Sequence, residues 1–161
     1  MKKRDSQKRP RDATSTETKP QANHRMTWHL RVGWWSLLFF LTLGIVLESM
    51  HGFKVQWYIG EQNATRRLMW TLAHAHGTLL SLIHVAYAAS MHIIGSSFKT
   101  SELQSRCLSI ATILMPLGFF AGGWGTYDGD PGLGILAVPV GAAMLFVAVL
   151  LIAVSSGKSV N

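Results

Sequence analysis

Four long apolar runs constrain this chain more than anything else in it. They read VGWWSLLFFLTLGIVLESM (32–50), LMWTLAHAHGTLLSLIHVAYAASMHII (68–94), CLSIATILMPLGFFAGGWG (107–125) and LGILAVPVGAAMLFVAVLLIAV (133–154). At about 1.5 Å per residue, a helix of about 20 residues crosses a hydrocarbon layer of about 30 Å. Glu48 is the only formally charged residue inside the four runs. In lipid the backbone must satisfy its own hydrogen bonds, and runs this long do so as helices. The short links between the runs favour neighbours of opposite direction. The sequence therefore predicts an all-α integral membrane protein, an antiparallel four-transmembrane-helix bundle with a disordered basic N-terminal tail. Its expected parts are a tail over 1–27, the helical domain over 28–154 and a short C-terminus over 155–161.

Charge supports that division. Only 14% of residues are charged, well below the roughly 25% of a soluble domain. Nine of the fifteen Lys and Arg lie in residues 1–31, with Asp5, Asp12 and Glu17 as the only acids there. Between Lys2 and Arg25 the tail has no apolar residue larger than Ala to offset its chain entropy, so about 25 disordered residues are expected. Its basic residues suit anionic lipid headgroups. No aromatic residue interleaves them, which argues against nucleic acid as a partner. The first apolar run begins too late and runs too long for a cleaved signal peptide. A single Cys excludes a disulfide framework or a multi-cysteine zinc site within one chain.

With the N-terminus inside, twelve Lys/Arg fall on the inner side and three on the outer, Lys54, Arg66 and Arg67. That asymmetry predicts both termini on the cytoplasmic side, most simply of a bacterial cytoplasmic membrane. Segment 51–68 has room for an interfacial helix around Val55–Ile59. Asn63 or Thr65 is a candidate cap for the second span. Gly95 is a plausible stop, Ser101 with Gln104 forms a capping box, and TYDGDPG reads as a tight turn.

The second span carries the chemistry. At 100° per residue Thr71, His74, Thr78, Ser81, His84 and His92 share a stripe, while Leu72, Leu79, Leu80, Ile83 and Ala86 fill the other side. Such a stripe faces protein or water rather than lipid. His74 and His76 point apart on a helix and cannot ligate one ion, so His76 is assigned to a neighbouring helix or the interface. His74 and His84 lie roughly 15 Å apart along the axis, at separate depths.

Glu48 and His51, near the outer end of the first span, fall at the level of His74, with Asp128 and Asp130 above them. These residues permit a buried Glu48–His74 hydrogen bond that fixes helix register, or a site that holds Zn, Cu or Fe or passes protons. A third option is an unpartnered Glu48 reaching for the interface. Glu48, His51 and His74 are the candidate metal site, and His84 is a secondary candidate. A b-type haem needs axial ligands from two facing helices, and the last two spans have no His, so His51 or a Met would have to complete the pair.

Pro116 and Pro139 soften the last two spans. Gly118, Gly122, Gly123, Gly125, Gly134 and Gly141 allow close packing, and with it homo-oligomerisation or docking into a membrane complex. Met50, Met115 and Met144 read as packing, and Cys107 has no evident role. No nucleophile or open metal position is legible, so no catalytic residue is assigned. The leading expectation is a small membrane protein with an outward-facing His/Glu site for metal binding or proton handling. A structural or assembly subunit comes second and a haem-binding redox protein third.

Overall fold

The computed structural model describes residues 18–95, 98 and 100–157. Among these residues the structure is helical, and the only β feature is an isolated bridge between Tyr127 and Asp130. Helix α1 spans Thr18–Gly52, α2 is a single turn over Gln56–Ile59, and α3 spans Ala64–Ile94. Helix α4 covers Glu102–Trp124 and α5 covers Ala137–Gly157. Short 3-10 turns over Glu61–Asn63 and Leu133–Leu136 precede α3 and α5. Among the described residues four helices are long and apolar enough to cross a membrane.

Local signals explain most boundaries. Gly95 ends α3 with φ +63°, and Ser101 and Gln104 exchange both bonds of a capping box at the start of α4. The turn α2 lies where the loop was expected to hold a short helix. Three expectations shift. Helix α1 begins at Thr18, so residues 18–27, assigned to the tail, are helical, with Pro20 in the first turn where its missing N–H costs little. Residues 1–17 lie outside the described residues. Neither Asn63 nor Thr65 caps α3 through its side chain: Asn63 Oδ1 accepts from Arg66, and Thr65 donates to the Gly129 carbonyl. Pro139 sits in the first turn of α5 after a 3-10 turn, so it starts that helix rather than softening it.

The long helices pack in chain order, α1 on α3, α3 on α4 and α4 on α5. Among the described residues α1 and α5 share no comparable interface, so α3 and α4 have a long helix on two faces while α1 and α5 have one on a single face. Glycines set the approach. A Cβ on Gly33 would meet Val85 and the Ser81 carbonyl, one on Gly77 would enter the Phe40 ring, and one on Gly44 would reach the His74 ring at 2.5 Å. Residue numbers rise along α1 as they fall along α3, so these helices run in opposite directions. Gly118 against Val138 and Gly141 against Met115 do the same for α4 and α5.

Two apolar clusters fill the interfaces. One joins Leu80, Tyr87 and Met91 of α3 to Cys107, Leu108, Ala111 and Met115 of α4 and Ala148 of α5. Cys107 and Met115 are packing residues, and Met144 lies against the same cluster. The other surrounds Trp70 with Leu47, Tyr58, Met69, Ala73 and Phe119. Arg66 ties the loops to this end: its guanidinium lies 4.7 Å from the Trp57 ring and donates to the carbonyls of Trp57 and Gly123.

Candidate functional site

The buried positions of α1 are His29, Gly33, Phe40 and Leu47, spaced four and seven apart, which places them on one helical face against α3. His29 is 0% exposed. Opposite it on α3 stands His84, also 0% exposed. The close crossing at Gly33 and Ser81 brings the two rings together, with centroids 4.8 Å apart and Nδ1 to Nδ1 at 2.7 Å. The far nitrogens are also engaged. His29 Nε2 lies 2.6 Å from Ser105 Oγ, and His84 Nε2 lies 3.0 Å from Thr112 Oγ1, both on α4.

Donor counting fixes the protons. The Thr112 hydroxyl gives its single proton to the Leu108 carbonyl at 2.9 Å, so towards His84 it accepts. His84 therefore carries its proton on Nε2 and presents a bare Nδ1. His29 must then donate from Nδ1, which leaves His29 Nε2 to accept from Ser105 when the ring is neutral. The result is a one-way chain: Ser105 to His29, His29 to His84, His84 to Thr112, Thr112 to the Leu108 carbonyl. Every polar atom in it is satisfied. Among the described residues the Thr78 hydroxyl is the one buried side-chain polar atom without a partner.

A second network braces this chain. The Tyr87 ring meets His29 edge-on at 4.8 Å, and its hydroxyl donates to Gln104 Oε1 at 3.0 Å. Gln104 is 2% exposed, accepts the Ser101 N–H, and donates through Nε2 to the Leu151 carbonyl and Ser155 Oγ on α5. One amide thus caps α4, holds the tyrosine beside the histidine pair and fastens α5. Beyond Thr112 lies an apolar cavity of about 350 Å³ bordered by Phe39, Phe40, Pro116 and Phe120.

The residues picked from sequence are arranged differently. Glu48, His51 and His74 do line one wide groove between α1 and α3, of about 1090 Å³. Among the described residues Glu48 makes no hydrogen bond or ion pair, so the expected Glu48–His74 pairing is not formed. His74 Nδ1 instead donates to the Phe40 carbonyl at 2.7 Å, because the ring lies directly on Gly44 and meets the backbone of α1 first. Asp128 and Asp130 are exposed in their turn and do not line the groove. Among the described residues no group of three or more His, Cys, Asp or Glu could hold a metal ion.

His76 back-bonds to the Leu72 carbonyl and packs its ring on Phe119 of α4, away from His74, as helical geometry requires. The polar stripe of α3 is half right: Ser81 and His84 are buried, but His92 is exposed. Leu80, placed on the opposite side, is also fully buried, because α3 has protein on two faces, α1 and α4.

The two imidazoles that face each other from different helices are His29 and His84, and they do not fit a metal or haem between them. Ligand nitrogens about 2.0–2.1 Å from a tetrahedral metal stand roughly 3.3 Å apart, and axial ones about 4 Å. Here the nitrogens are at hydrogen-bond distance, 2.7 Å. Sequence reasoning passed over His29 because it precedes the apolar run. Its signal was position: it continues the face of Gly33 and Phe40 by one more turn.

No protein-family model matches the chain, and neither a curated protein nor a solved structure is significantly similar to it.

Proposed function

We propose that the chain is a four-span integral protein of a bacterial cytoplasmic membrane, with antiparallel spans and both termini cytoplasmic, and that it takes up a proton from that side into the His29–His84 pair. The observation that carries this reading is the 2.7 Å Nδ1 to Nδ1 contact of two fully buried imidazoles. The membrane assignment is supported by the Lys/Arg asymmetry and by the apolar outer faces, where Trp34, Trp35, Phe39 and Phe146 are each more than half exposed. In water such surface is a liability, and in lipid it is solvated.

Uptake needs little motion. A proton arriving at His29 Nε2 turns that atom from acceptor to donor towards Ser105 Oγ. The serine hydroxyl then rotates towards a backbone carbonyl of its own helix, as helical serines commonly do. The proton on His29 Nδ1 can pass to His84 Nδ1, so one positive charge is shared by two rings. It goes no further, since the Thr112 proton ends on a helix carbonyl. The pair is therefore a proton store or sensor and not a path across the bilayer. Arg25, one turn before His29, is a charge acting on it; Tyr87 is the further titratable group on α3 in contact with it, and the Glu102–Arg106 ion pair lies exposed on α4.

The test is proton uptake by the full-length protein in liposomes after a pH jump from about pH 8 to about 3, which covers the ordinary imidazole range and extends well below it. Wild type should take up one proton per chain more than His29→Gln. Equal uptake would leave the pair as a helix clasp and remove the proton-handling function.

A further inference from the structure

The groove between α1 and α3 has a polarity gradient and two opposite charges that do not meet. The helices meet closely at Gly44 and His74, and the groove is lined from Leu41 to Gly52 on α1 and from Ala64 to His74 on α3. On the α1 wall, Glu48 is exposed and unbonded. On the α3 wall, Arg67 uses its Nη1 for the Ile59 carbonyl at 3.1 Å, which leaves most of its five N–H donors open. The two side chains line the same groove without forming an ion pair. Towards mid-span the wall becomes apolar, with Leu41 and Ile45 of α1, and the polar edge of Thr71 and His74 lies between.

A carboxylate and a guanidinium that line one groove without forming an ion pair suit a molecule with an ammonium and a phosphate side by side. The apolar slope beneath them suits an acyl chain. We propose that this groove binds a zwitterionic glycerophospholipid with a primary-amine headgroup, its phosphate on Arg67, its ammonium on Glu48 and the start of one chain along Leu41 and Ile45. A primary ammonium donates hydrogen bonds to Glu48, which a quaternary ammonium cannot do, and a glycerol headgroup brings no cation. The inference rests on the membrane-spanning reading and is independent of the histidine pair.

The experiment is native mass spectrometry of the full-length protein released from vesicles that contain phosphatidylethanolamine, phosphatidylcholine and phosphatidylglycerol in equal amounts. Resistance to alkaline extraction from the same vesicles separately reports membrane insertion. Retained phosphatidylethanolamine should exceed each other lipid by about tenfold, the value of one charge-assisted hydrogen bond. Glu48→Gln should erase that preference while lipid is still retained, and Arg67→Gln should lower retention of all three. Glu48 is exposed and unbonded, so its variant tests binding and not folding. Equal retention of the three lipids, or an unchanged preference in Glu48→Gln, overturns the proposal. So does displacement of the lipid by soluble phosphoethanolamine, which would assign the groove to a free headgroup.

Discussion

A fully buried imidazole must place both ring nitrogens, and His29 and His84 do so with one arrangement of protons. The Thr112 proton on the Leu108 carbonyl fixes His84, and His84 fixes His29. Removing either ring leaves the other with a bare or unmatched nitrogen in a site closed to water, besides the space vacated. His29→Ala and His84→Ala should each cost roughly 2–4 kcal/mol. Because each change breaks the same bond, the double variant should cost about 1–2 kcal/mol less than the two single costs combined. Reversible unfolding in bicelles measures all three, and simple additivity would show that the rings do not interact. His74 behaves differently: it is half-buried, bonds backbone and depends on a glycine for its seat.

At the scale of elements, the α1–α3 crossing rests on the absence of side chains. A Cβ on Gly77 would enter the Phe40 ring, whereas one on Gly52, at the end of α1, would meet nothing within 4 Å. Gly77→Ala should therefore destabilise the protein by about 1–3 kcal/mol through overpacking. Gly52→Ala should be neutral or slightly stabilising through its helix propensity. Thermal unfolding in detergent compares the two, and equal effects would mean that the crossing is looser than described. Gln104 joins three elements through one amide. Ser101→Ala removes a cap worth about 1 kcal/mol. Gln104→Leu should cost more, since it also frees the Tyr87 hydroxyl and the α5 carbonyl contact. These boundaries were legible because capping is local: Gly95, Ser101 and Gln104 each announce themselves within four residues. Pro139 was misread because a proline's effect depends on its distance from the helix start, and the 3-10 turn that sets that distance has no strong sequence mark.

At the scale of the whole molecule, the described residues form a row of four long helices, and the length of the apolar runs was enough to foresee them. The contact that matters was not legible in the same way. His29 joins residues 55 and 76 positions away, and nothing in a single sequence states which faces of distant helices meet. Glu48 and His74 line one groove, but the rotation of α1 that leaves the carboxylate unbonded is set by Gly44 and Phe40 packing on α3. Orientation has its own test. With Cys107 replaced by Ser, cysteines at Gln62 and Asp130 should react with an impermeant maleimide from outside intact cells, and one at Thr100 only after permeabilisation. Labelling of Thr100→Cys in intact cells would invert the topology and the side from which the proton arrives. The most direct measurement is solid-state NMR of the protein in bilayers with ¹⁵N-labelled histidine, above the pH of protonation. The expected spectrum shows His29 protonated on Nδ1, His84 protonated on Nε2 and a through-bond correlation between the two Nδ1 atoms. Two rings with the same tautomer and no such correlation would contradict the shared proton on which this account depends.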